Sequence, residues 1–413
     1  MIRFFKLFSI NGFTIFVFCM ILMGISISIT VPFLSLYATK ELGMSTSAFG
    51  IFIAISSISG VFVNSALAKR SDGNWDRKWI IIIAMISSSF SYFAYVIFHH
   101  YFVLLITVTF FGGIGAASMP QIFAYAQASA NASGSDDIIF AMSTLRSLFS
   151  LGFLIGPLIG TIILSAMDYE GLFICTALIF VLIAILVFFF LSNSKPMSNQ
   201  NPTKQIESKT YSIKDKKIAL PFIAFILLFA INNINGINTP LFIVNDLNGS
   251  QTDVGLVASI CAGLEIPIMI VLGAWGKKVS NLALIISACF IGMSYHLILT
   301  FSSSPWNVIV LQIIQAIQVA IVMGNGLSYF AEIFPDAPGI ASTLYANGQT
   351  LGRLLGTLGG GFLAQLFGFR YVNIACIIIL IFAFISLWIT KNHKSSSNSL
   401  FEKETLKTQN GGA

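Results

Sequence analysis

The sequence predicts an all-α integral membrane protein with twelve transmembrane helices in two six-helix pseudo-repeat halves. Three observations carry this. Of 413 residues, 56% are hydrophobic and only 9% are charged, against about 25% charged in a soluble chain. The mean hydropathy is +0.88. Twelve apolar runs of membrane-spanning length follow one another, and a polar stretch divides them six and six. Such a composition excludes a soluble enzyme, a disordered regulator and a nucleic-acid-binding domain.

Each crossing needs roughly 20 apolar residues. The runs fall near 10–38, 47–68, 78–98, 101–127, 139–166 and 171–192, then 218–244, 254–275, 281–301, 306–331, 339–366 and 370–390. Short polar turns separate them, such as His99-His100, Asp168-Tyr169-Glu170 and Ser302-Ser303-Ser304-Pro305. Arg3 and Lys6 before the run from Phe13 to Leu36 give a superficial likeness to a signal peptide. That run is too long for one and shows no small-residue cleavage site, so it reads as an uncleaved first span. Trp75, Trp79, Trp275, Trp306 and Trp388 all fall at or near span ends, where aromatic rings meet the interface. The five cysteines lie inside apolar runs without metal-ligand spacing and read as small buried hydrophobes. No cofactor or metal is expected.

Orientation follows from charge. With the N-terminus in the cytoplasm, inner segments hold 18 of the 22 Lys and Arg, and outer loops hold only Lys40 and Arg370. Arg146 and Arg353 fall inside spans. This bias places both termini inside.

The stretch 193–217 is polar and lysine-rich and contains Pro196 and Pro202. It reads as a linker between residues 1–192 and 218–390, with 391–413 as a tail. The halves echo each other. Pro32 matches Pro240, Gly50 matches Gly255, Ser143-Thr144-Leu145 matches Ser342-Thr343-Leu344, and Gly156 matches Gly356. Duplicated six-helix halves of transporters produce such weak repeats.

Glu265 carries the strongest chemical signal, because it lies near the middle of the eighth span. An ionised group there costs roughly 2.5–3.5 kcal/mol. It must pair, face water or hold a proton, and a reversible proton site competes with a helix-fastening ion pair. Pro267 leaves the Gly263 carbonyl without its helical donor. Arg146 and Arg353 pose the same choice between function and fastening. Gln121 and Tyr125 in the fourth span, Asn232, Asn235 and Asn238 in the seventh, and Gln315 and Asn325 in the tenth supply amides and rings. Buried amides bond each other, water or a ligand, and neutral amides suit an uncharged polyhydroxylated solute. The glycine series 152, 156 and 160, and 348, 352, 356 and 360, predict close helix contacts, either static or sliding between the halves. The loop Lys69–Lys78 mixes charges and reads as plain topology or as a latch of Arg70, Asp72, Asp76 and Arg77. His296 reads as hydrogen-bonded structure. No phosphate loop, carboxylate pair, metal cluster or nucleophile triad is present to suggest an enzyme, and no segment is large enough for a nucleotide-binding domain.

The chain resembles the major facilitator superfamily. Ala68-Lys69-Arg70-Ser71-Asp72 with Asp76-Arg77-Lys78 is similar to that superfamily's second-to-third-span motif, with Lys69 where Asp is usual. The latch acid therefore falls to Asp72 or Asp76. Gly152-x-x-x-Gly156-Pro157-x-x-Gly160 resembles the fifth-span motif of exporters in its antiporter branches. A closer likeness is to bacterial sugar efflux transporters. It rests on Met119-Pro120-Gln121-Ile122-Phe123-Ala124, Arg146 with Ser150-Leu151 and Ile155-Gly156-Pro157, Pro240-Leu241-Phe242-Ile243, and above all Gly263-Leu264-Glu265-Ile266-Pro267.

The resemblance implies a monomeric secondary transporter of the bacterial cytoplasmic membrane that exports sugars or glycosides by alternating access, in exchange for protons. It places the first, fourth, seventh and tenth spans around the cavity. It also sets the fifth span against the eighth, bringing Arg146 towards Glu265 as a coupling pair. Gly152, Gly156 and Pro157 become gating residues. A multidrug exporter of the same fold and a non-transporting receptor are the rival readings.

Overall fold

The structure is a computed structural model that describes residues 7–71, 76–133, 138–192, 215–275, 279–334 and 337–410. Its elements are α1 (Phe13–Thr30), α2 (Thr46–Ser71), α3 (Arg77–Ile97), α4 (Tyr101–Gly115), α5 (Ser118–Ala132), α6 (Ile138–Phe190), α7 (Lys216–Asn245), α8 (Gln251–Trp275), α9 (Asn281–Thr300), α10 (Pro305–Ile333) and α11 (Pro338–Asn410). Among the described residues, ten helical runs are long and apolar enough to cross a membrane. Helices are the expected solution, since lipid offers no partner for an open backbone.

Local signals set the ends. Asp76 caps α3 by accepting from the Lys78 N–H at 2.9 Å, and Ser280 caps α9 by accepting from Ala283 at 3.2 Å. Pro32 ends the regular part of α1, which continues through short irregular turns to Glu41.

Two helices are too long for one crossing. The 53 residues of α6 would extend about 80 Å, over twice the hydrocarbon core. Asp168 breaks α6 (φ 55°) and Gly368 breaks α11 (φ 75°). Packing shows that the chain turns back at both. Along α1, Gly24 meets Gly152 and Ile29 meets Gly160 in the same direction. The second arm of α6 runs the other way, with Tyr37 against Phe173 and Gly12 against Leu191. The first arm of α11 runs alongside α7, with Gly352 at Phe229, Gly356 at Ala230 and Gly360 at Ile234. Its second arm runs against α9, with His296 at Asn373 and Phe290 at Phe384. Counting each arm, the described residues make twelve traverses.

The core divides along the bundle axis. Towards the linker-bearing end, one buried cluster draws only on residues 7–191 and another only on 218–387. Towards the opposite end a single cluster joins Ile29, Phe33 and Phe52 to Leu241, Phe242 and Val254. Hydrogen bonds cross there too: Thr46 donates to the Gly361 carbonyl at 2.9 Å, Ser47 bonds Gln365, and Gln251 donates to the Tyr169 hydroxyl at 3.1 Å. The bundle is sealed at this far end.

Candidate functional site

The linker-bearing end carries a polar stripe on each of two helices. On α6, Ser143, Arg146, Ser147 and Ser150 are accessible. On α11, Asn347 and Arg353 are accessible and Thr350 is half-buried. These follow three- and four-residue spacing, so each set shares one helix face. A guanidinium at membrane depth faces water or protein rather than lipid. Arg146 and Tyr345 are electrostatic neighbours, and so are Arg353 and Tyr92. Each pair reaches from one cluster's helices to the other's, across an accessible cleft.

A small recess with room for about one water lies between α7 and α10, lined by Phe229, Asn232, Gln315, Gln318 and Met323 among others. Asn232 is half-buried, while Asn235 (7% exposed), Gln315 (6%) and Gln318 (4%) are buried. Among the described residues, both side-chain atoms of Asn235 lack a hydrogen-bond partner, as do Gln315 Oε1, Gln318 Oε1 and Asn238 Oδ1. Tyr345 and Gln349 approach Met323 from α11. Gln318, three residues on from Gln315, lies on the same helix face.

Glu265 lies in α8 a little past the middle, counted from the sealed end. It is half-buried and accepts from the Cys261 thiol at 3.7 Å. That thiol, read from sequence as a plain hydrophobe, is the group beside the carboxylate. The first arm of α6 does face α8: Gly255 abuts the Pro157 carbonyl, and Gly263 abuts Leu154. The expected approach of Arg146 to Glu265 is not seen. With this register Arg146 lies about six residues, roughly 10 Å, nearer the linker end. Its guanidinium stacks on Phe123 at 5.6 Å instead.

Other expected residues are tied into the scaffold. Tyr125 donates to the Ser192 carbonyl and packs edge-on against Phe16. Asn238 donates to the Phe369 carbonyl at 2.9 Å. Asn325 donates to Asn281 at 2.9 Å, and Asn281 to Glu332 at 2.7 Å, a relay that sequence reasoning missed. Gln121 is buried on α5. The glycine stripe does not slide between halves as one reading had it. Gly152 and Gly156 meet α1 at Ile21, Gly24 and Ser28, within residues 7–191. Pro157 and Thr161, one turn face away, make the contact with α8. Asp76 caps α3, with Arg77 as its first residue. Asp72 and the Arg70 side chain lie outside the described residues, as does the linker stretch 193–214. His296 is structural as expected, bonded to Asn373 at 3.1 Å.

The profile of the Major Facilitator Superfamily matches residues 16–293 and 220–410. The chain belongs to the Major Facilitator Superfamily. Within it, Sugar efflux transporter C of Escherichia coli (strain K12) is 28% identical over 374 residues, covering 90% of this chain and 94% of that protein. Sugar efflux transporter A of Dickeya chrysanthemi is 28% identical over 367 residues, covering 89% and 92%. The crystal structure of nucleoside transporter NupG superposes with a TM-score of 0.76 at 14% identity, covering 92% and 98%, which shows the shared fold. This superfamily member is a multi-pass membrane transporter, not an enzyme.

Proposed function

We propose that this protein exports sugars or glycosides across the bacterial cytoplasmic membrane in exchange for protons. The carrying observation is the set of buried amide atoms on α7 and α10 that have no hydrogen-bond partner among the described residues. Each such atom costs about 1–3 kcal/mol if left unpaired. A hydroxylated solute, or water in its absence, offsets that cost, because a carboxamide both donates to and accepts from hydroxyl groups. Relatives named as sugar efflux transporters support the same reading.

Residues 1–192 and 218–390 act as two halves that rock about this midplane site. Positive charge places the linker and both termini in the cytoplasm, so a bundle sealed at the far end is open inward. Substrate enters from the cytoplasm and meets Asn232, Asn235 and Gln315, with Gln121, Tyr125, Asn238 and Asn325 holding the cavity walls. Glu265 carries the exchanged proton. Arg146 biases its release when closure of the cleft brings the two nearer. Arg70, Asp72, Asp76 and Arg77 latch the inner end, and Gly152, Gly156 and Pro157 set the close packing on which α6 pivots. A single chain suffices, since the cleft is complete within it.

The test is flux in proteoliposomes. Labelled lactose moving uphill with an imposed pH gradient, and collapsing with a protonophore, supports the reading. A lipophilic dye moving while lactose does not would replace it with drug export.

A further inference from the structure

Arg353 lies midway between Pro338 and the break at Gly368. It is thus at the middle of its helical arm, and a lone charge costs most near the centre of a membrane-crossing helix. Its guanidinium is accessible yet mostly enclosed by protein, with Tyr92 of α3 as its electrostatic neighbour. It makes no hydrogen bond or ion pair among the described residues. The one carboxylate at comparable depth, Glu265, takes its hydrogen bond from Cys261 instead. Arg353 therefore places five N–H donors and a full positive charge into the cleft, with no counter-charge bonded to it among the described residues.

Its level in the bundle coincides with the amide pocket. The preceding residue, Gly352, packs on Phe229 and Ala230 of α7, and Phe229 lines the pocket beside Asn232. Arg353 and the α7 and α10 amides belong to the same half, so a solute in the cleft can meet both from one side. The planar guanidinium matches the paired oxygens of a carboxylate or phosphate. Arg146, roughly two turns nearer the mouth, adds positive potential along the entry path.

We propose that the transported sugar carries an anionic oxygen group and that Arg353 binds that group while the amides take the hydroxyls. The inference rests on the sugar-export reading and narrows its substrate class.

The experiment compares three solutes in the same proteoliposomes: methyl β-glucoside, methyl β-glucuronide and glucose 6-phosphate. At low concentration one or both anionic sugars should outpace the glucoside by about tenfold or more, the scale of one charge-assisted contact. Which one does so separates carboxylate from phosphate. Arg353→Gln should bring the ratio of anionic to neutral flux close to one, and Arg353→Lys should restore part of it. Equal rates in the unaltered protein, or a ratio unmoved by Arg353→Gln, would overturn the inference while glucoside flux leaves sugar export standing. If no sugar moves, both readings fall. Thermal unfolding of the unaltered protein in detergent is independent of any variant's folding. Stabilisation by an anionic sugar and not by the glucoside is expected, and equal shifts would contradict the proposal.

Discussion

Gly50 of α2 lies against the backbone carbonyl of Thr357 in α11, closer than any side chain would allow. Its repeat counterpart, Gly255 of α8, lies against the Thr161 side chain of α6, with the Pro157 carbonyl close behind. The first crossing lies next to the bonds from Thr46 to Gly361 and from Ser47 to Gln365, and the second closes the α6–α8 side of the sealed end.

A β-branched side chain at either glycine should force the seal apart. Gly50→Val or Gly255→Val should cut disulfide cross-linking between Ser47→Cys and Gln365→Cys several-fold, with the five native cysteines replaced. Undiminished cross-linking would show that the seal does not depend on these close approaches.

Asn235 should separate stability from transport. Both atoms of its amide are buried without a hydrogen-bond partner among the described residues, which costs about 1–3 kcal/mol in a protein that has nothing bound. Asn235→Leu has similar volume and no polar atoms. It should leave thermal stability unchanged or raise it, while cutting sugar flux by roughly tenfold, the scale of one lost hydrogen bond to substrate. A destabilised variant with normal flux would make the residue structural.

Arg370 fastens the far end of the C-terminal arms. It donates to the carbonyls of Thr300 and Ser302, both at 2.8 Å, and stacks over Phe242 at 5.1 Å. Arg370→Ala should cost about 1.5–3 kcal/mol, the range for a hydrogen bond from a charged donor. Asp246 adds a pH dependence. Burial pushes its carboxyl above the ordinary carboxylate range, and the Arg370 charge pulls it partly back. An acid raised in the folded state binds more protons folded than unfolded, so its contribution to stability falls as pH rises through that window. Without Arg370 the carboxyl rises further and that fall steepens. Melting curves should therefore show a larger deficit for Arg370→Ala at pH 7 than at pH 4. An equal deficit at both would remove Asp246 from the account.

Much of the architecture was legible because lipid leaves few options. Apolar length and turn residues located the crossings to within a few residues, including the reversals at Asp168 and Gly368. The sequence marks Gly50 and Gly255 only as repeat counterparts; the close crossings they make emerge from the structure. Side-chain pairing was not legible. Glu265 and Arg146 lie on facing helices, yet a register difference of about six residues keeps them apart, and sequence spacing within one helix says nothing about register across two. The glycine stripe announced a close contact without naming its partner, which proved to be α1. Gln315 and Asn325 share a helix, but one faces the pocket and the other bonds Asn281. Only the positions of α7 and α9 decide that difference.

Glu265 tests the central claim most directly. In proteoliposomes, Glu265→Gln should abolish uphill sugar movement driven by a pH gradient while sugar-for-sugar exchange continues, since a glutamine keeps the shape and hydrogen bonding but carries no transferable proton. Accumulation by Glu265→Gln equal to that of the unaltered protein would contradict proton exchange at this carboxylate.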